Sequence, residues 1–201
     1  AMAITREHRV RDVGCGVARI GRELAPFCGE WHGVDISPNM IDIASRRTSH
    51  LPNVHLMALG GSDLSLFPDA TFDRLYSHIV LFHLDKEDML GYLAEFQRVL
   101  QPGGLAYFDT WNLEHGFGWQ RFLHERELNR RISPRPPNRN RFATPQEMDI
   151  CVERLGMGVV ALLSGSSLVQ VVAVRPREGE TGREAVVRAR AELGDAPSRA
   201  L

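Results

Sequence analysis

Lysine is almost missing from this chain of 201 residues: Lys86 stands against 23 arginines. Acidic residues match the basic ones, and the net charge of -1 with a pI near 6.8 excludes the strongly basic balance of a nucleic-acid coat. The arginine excess is therefore read as genomic base-composition bias. Cysteine is scarce too. Cys15, Cys28 and Cys151 are odd in number and lack metal or redox spacing, which excludes a disulfide framework and gives no expectation of a metal. Free thiols fit a reducing, cytoplasmic setting. No apolar run approaches the roughly 18–20 residues of a membrane span, and no signal peptide is visible at the start. What remains is one globular domain, 43% hydrophobic, long enough to bury a core.

The informative stretch is Arg11-Asp12-Val13-Gly14-Cys15-Gly16-Val17-Ala18-Arg19. A short apolar strand (His8 to Val13) runs into a glycine turn, then a helix (Ile20 to Ala25), then a second strand (Trp31 to Val34) closed by Asp35. Gly14 and Gly16 let the backbone turn tightly and approach a ligand with no Cβ in the way. Asp35, about 20 residues on, is placed to accept hydrogen bonds from both hydroxyls of a ribose. A nucleoside-containing ligand is expected here.

Strand and helix signals continue to alternate. Ser37 and Pro38 suit the N-cap and first position of a helix after the second strand. Val54 to Leu59 and Thr71 to Ser77 read as strands. Lys86 to Leu100 repeats apolar residues at helical spacing and meets a terminator at Gln101-Pro102-Gly103-Gly104. Leu105 to Trp111 is a fifth strand. Such alternation predicts an α/β fold with a mostly parallel, doubly wound sheet of about seven strands. Its close is an antiparallel hairpin, Gly158 to Leu163 and Ser167 to Val174, across Ser164-Gly165-Ser166. Residues 1–175 are expected as the domain. Asn112 to Phe142 has no clean period and is expected as a substrate-covering segment, while 176–201 is expected as a charged tail, partly helical or disordered.

The motifs resemble the class I S-adenosylmethionine-dependent methyltransferases of small-molecule type. Asp12 to Gly16 is similar to their first motif and Val34 to Met40 to their second. Phe67 to Asp73 leading into Ser77 to Leu84 is similar to the segment around their fourth strand, and Val99 to Gly104 to the stretch before their fifth. The likeness covers roughly residues 8 to 175 and implies a Rossmann-like fold, S-adenosyl-L-methionine as cofactor, and methyl transfer to an O, N or C nucleophile of a small molecule. Carried over by position, it puts Asp12 and the backbone of Gly14 and Gly16 at the amino acid end of the cofactor. Asp35 goes to the ribose, Ile36 and Met40 to the adenine face, Asp63 and the backbone of Leu64 to the adenine edge, and Ser77 and His78 near the sulfonium. Asp73, beside a turn, is expected to be structural. Three departures stand out. Val17-Ala18 replaces the usual Thr-Gly, Leu59-Gly60-Gly61-Ser62 replaces the acid after the third strand, and the usual N-terminal helical lid has no counterpart before the first strand. A protein of this fold that binds the cofactor without methylating, such as a cyclase or auxiliary protein, or a non-catalytic binding domain, is the alternative.

If the acceptor is an alcohol, phenol or amine, a side chain within reach must take its proton. Histidine titrates nearest neutrality. His83, after the fourth strand, is the first candidate, followed by His115 and His124. Trp111, Phe117, Trp119 and Phe122 could wall an aromatic acceptor. Between Trp119 and Phe142, seven arginines oppose only Glu125 and Glu127, which suits an anionic acceptor. That excess also suits a solvated loop, and nucleic acid is not expected, because no binding module is present. Oligomeric state is not legible.

Overall fold

The structure, a computed structural model, describes residues 2–60, 64–134 and 139–194. The first half runs β1 (Arg9–Val13), α1 (Arg19–Leu24), β2 (Glu30–Asp35), α2 (Pro38–Thr48), β3 (Val54–Ala58), β4 (Phe72–Ser77) and α3 (Lys86–Val99). The second runs β5 (Leu100–Asn112), α4 (Gly116–Arg130), β6 (Phe142–Ala143), α5 (Pro145–Arg154), β7 (Gly158–Leu163), β8 (Leu168–Val174) and α6 (Gly182–Leu193). One eight-stranded sheet has the order β3-β2-β1-β4-β5-β8-β7, and β6 pairs with the end of β5. Strands β1 to β6 pair in parallel; β8 is antiparallel to both β5 and β7. The order reverses between β1 and β4, and in such sheets the crevice beyond the strand ends at that point takes the ligand.

Alternation along each strand makes two cores. Val10, Trp31, Tyr76, Leu105 and Tyr107 point to one face, with Ala44 of α2 and Ala185 and Ala189 of α6. Leu75, Ala106 and Phe108 point to the other, with Leu93, Phe96 and Val99 of α3 and Met148 and Val152 of α5. Helix starts follow their caps: the Ser37 hydroxyl accepts from the Met40 amide, Thr144 caps α5, and Thr181 with Glu184 forms a capping box on α6. Asp73 is structural as expected, its carboxylate accepting from the Arg9 amide at 2.8 Å.

Two segments differ from expectation, and in a third the helical alternative holds. The terminator at 101–104 stops α3 at Val99, but β5 begins at once, because Gly103 donates to the Arg175 carbonyl and Arg175 to that of Gly104. Within 112–142, where the sequence shows no clean period, residues Gly116–Arg130 form α4. Only Gly118 on it is buried, so it carries no apolar stripe for periodicity to reveal. Residues Gly182–Leu193 of the expected tail form α6, which docks on β7 and β8 through Ala185 and Ala189. Among the described residues, no helix is long and apolar enough to cross a membrane.

Candidate functional site

Beyond β1 the chain turns through Gly14 (φ +78°) and Gly16 (φ +53°) into α1, whose N-cap, Ala18, also takes a positive φ of +54°. The amides of Gly14 and Cys15 donate to the Val34 carbonyl at 2.8 and 2.9 Å, which ties the turn to the end of β2. Asp35 completes the tie: Oδ2 accepts from the Gly16 amide and Oδ1 from the Ser37 amide, both at 2.9 Å. Each oxygen keeps lone-pair capacity for a further hydroxyl. The two glycines do different work. A Cβ on Gly14 would run into Val80, whereas one on Gly16 would meet nothing within 4 Å.

Gly16 and Asp35 open on a cavity of about 410 Å³ whose wall includes Ile36, Met40, Ile79 and His83. Ile36 is 70% exposed and Met40 40%, so an apolar shelf stands beside the carboxylate. His83 ends a single 3-10 turn, Leu81–His83, its ring packed on Phe82.

Other expected residues lie elsewhere. Leu64 is turned into the core, and its amide, expected at the adenine edge, donates to Glu95 Oε2 at 3.1 Å. That amide is committed, because Glu95 and Arg98 of α3 hold Leu64 through its amide and its carbonyl. Asp63 lies outside the described residues. Ser77 is fully buried, its hydroxyl donating to the Val13 carbonyl at 2.9 Å, which fastens β4 to β1. His115 caps α4, its Nδ1 accepting from the Phe117 amide at 3.3 Å, and His124 is exposed on the same helix.

Asp12 is almost wholly buried beside Tyr76, whose hydroxyl accepts from Trp31 Nε1 at 3.0 Å. Burial pushes the Asp12 carboxyl up to about 7, against the opposing pull of Tyr76, His78 and Arg11. One pairing has no local sequence signal. His78 Nδ1 is bonded to Asp109 Oδ2, and the fully buried Asp109 also accepts from the Ile79 amide (2.8 Å) and the Tyr107 hydroxyl (3.0 Å). The pairing follows from β4–β5 register, which sets Ser77 beside Phe108 and so His78 beside Asp109.

The aromatic residues of 111–142 mostly pack on one another: Trp111 on Phe82, Phe117 and Phe142, and Phe122 on Trp119 and Phe142. Many of the arginines are paired as well. Arg139 and Arg141 reach Asp85, Arg121 reaches Glu125, and Arg130 and Arg131 reach Glu127. One cluster with metal-ligand chemistry, Glu30, His32 and His55, lies among described residues, but Arg9 binds Glu30 and the Arg11 charge bears on His32.

Residues 10–104 match a family model described as a methyltransferase domain. A demethylmenaquinone methyltransferase of Tropheryma whipplei is 34% identical over 103 residues, 51% of this chain and 41% of that protein. A malonyl-[acyl-carrier protein] O-methyltransferase of Serratia marcescens is 31% identical over 122 residues, 59% and 46% of the two chains. The chain thus spans less than half the length of these curated relatives. A crystal structure of an S-adenosylmethionine-dependent methyltransferase from Methanosarcina mazei superposes with a TM-score of 0.69 at 18% identity, over 87% of this chain and 95% of that one. With the sheet order, the glycine turn and the carboxylate at the end of β2 in place, the chain has the fold of the S-adenosylmethionine-dependent methyltransferases, and its residues 10–104 match a methyltransferase domain.

Proposed function

We propose that the protein moves the methyl group of S-adenosylmethionine to an O, N or C nucleophile of a small molecule. The observation that carries this is the Asp35 carboxylate. It is held by two backbone amides at the mouth of a cavity, with uncommitted lone pairs and an apolar shelf of Ile36 and Met40 at its side. A ribose with a base stacked beside it suits that arrangement. The open space at Gly16 suits close approach of a ligand to the backbone.

Asp35 would hold the ribose and Ile36 and Met40 the adenine face. Asp12, with the backbone of Gly14 and Gly16, would serve the amino acid end, and His83 would stand at the same cavity. The cofactor supplies a methyl group already activated on a sulfonium. What is left to the protein is to align the acceptor, exclude water and receive a proton where the acceptor carries one.

Calorimetric titration with S-adenosylmethionine, S-adenosylhomocysteine and NAD tests the proposal. Saturable binding of the first two is expected, and Asp35→Ala is expected to weaken it at least tenfold, about 1.4 kcal/mol. Tight binding of NAD alone, or an Asp35→Ala variant of unchanged affinity, contradicts it.

A further inference from the structure

The end of β4 borders two neighbouring spaces. Ile79 and Val80 line the cavity that holds Asp35; His78 lines a second, of about 600 Å³, together with Tyr76 and Tyr107. That second wall is completed by Ile4, Ile20, Leu24 and the exposed Arg19 at the start of α1. It is mostly apolar, and His78 is the one imidazole on it.

The ring is held in one orientation. Asp109 has no solvent exposure and accepts bonds from Ile79, Tyr107 and His78. A carboxylate only accepts, so Nδ1 carries the proton in this pair, and in the neutral ring Nε2 keeps its lone pair. Nε2 has no hydrogen-bond partner among the described residues. The next residue, Ile79, is β-branched and sits at φ +62°, a conformation that persists only where the surroundings impose it; its amide is anchored on the same Asp109.

We infer that the second cavity binds the methyl acceptor, a compound with a phenolic or enolic hydroxyl on an apolar body, and that His78 is its general base, positioned by Asp109. This rests on the methyl-transfer reading above and deepens it. Nε2 takes the hydroxyl proton. The oxygen's electron pair forms the new O–C bond as the methyl's bond to sulfur breaks, and that bonding pair stays on sulfur as a neutral thioether. The imidazolium then returns its proton to solvent.

The test uses the whole chain, S-adenosylmethionine and 1-naphthol as the phenol. Calorimetry with S-adenosylmethionine comes first: no binding defeats the methyl-transfer reading itself. With binding established, the wild type is expected to form the naphthyl methyl ether and S-adenosylhomocysteine in equal amounts. His78→Gln is expected to lower turnover at least 100-fold and Asp109→Asn at least tenfold. Nitrogen NMR of the wild-type imidazole supplies a readout free of folding defects. A protonated Nδ1 is expected, with an Nε2 resonance that moves on adding 1-naphthol, and the tautomer is expected to redistribute in Asp109→Asn. Binding of S-adenosylmethionine without naphthol methylation, an Nε2 resonance indifferent to naphthol, or a His78→Gln variant at the wild-type rate would each overturn the inference.

Discussion

Val80 occupies the space that a side chain on Gly14 would need, so the turn after β1 and the segment after β4 interlock across 66 positions of sequence. Gly14 also sits at φ +78°. Gly14→Ala therefore meets two separate penalties, about 1–2 kcal/mol for the left-handed backbone and about 1–3 kcal/mol for overpacking. Adding Val80→Ala should restore the second and leave the first, a non-additivity that urea denaturation of the four proteins will measure. Simple additivity of the two changes would mean that the contact is relieved some other way.

Asp12 gives the fold a pH dependence of predictable sign. Its carboxyl is raised by burial to about 7, so the folded state favours the protonated form. Its contribution to stability is full below the ordinary carboxylate range near 4 and is lost as the pH rises through 7. The loss is expected on the order of 2–4 kcal/mol. Urea midpoints should fall between pH 5 and pH 8 in the wild type and stay level across that span in Asp12→Asn. Equal slopes in the two proteins would assign the dependence to other groups.

Arg11 is a cation inside the sheet's second core. It is 1% exposed, its guanidinium lies over Phe67 with 3.4 Å to the ring centroid, and Nε and Nη2 have no hydrogen-bond partner among the described residues. Burial lowers its pKa to about 9. Arg11→Met keeps the stem and removes the charge, and is expected to leave stability unchanged or raise it by about 1–3 kcal/mol. A fall of more than about 1 kcal/mol in thermal or urea unfolding would mean that stacking on Phe67 and Phe72 outweighs desolvation.

What was legible in the sequence was local. Glycines at 14 and 16, the carboxylate that closes β2 at 35 and the cap at Ser37 are each marked by residue type and short spacing, and each stands where expected. Helix α4 was hidden because its order comes from Phe117, Phe122 and Gly118 meeting partners on β5 and β6, not from a stripe of its own. The His78–Asp109 pair was hidden because only strand register brings together residues 31 apart. The bond at Leu64 was hidden for a related reason: its amide donates to Glu95 on α3, a long-range choice with no local trace.

The antiparallel insertion of β8 has a consequence for how the chain reaches this fold. β5 is the longest strand, with 13 residues, and its Leu105–Thr110 segment is buried on both faces. One of its edges waits for Leu168–Val174, which the ribosome makes only after α4, β6, α5 and β7. Until then an apolar strand in the middle of the sheet presents unpaired amides and carbonyls, the condition that favours pairing with another chain. A nascent or shortened chain is thus adhesive at its centre, and the final strand is the segment that silences it.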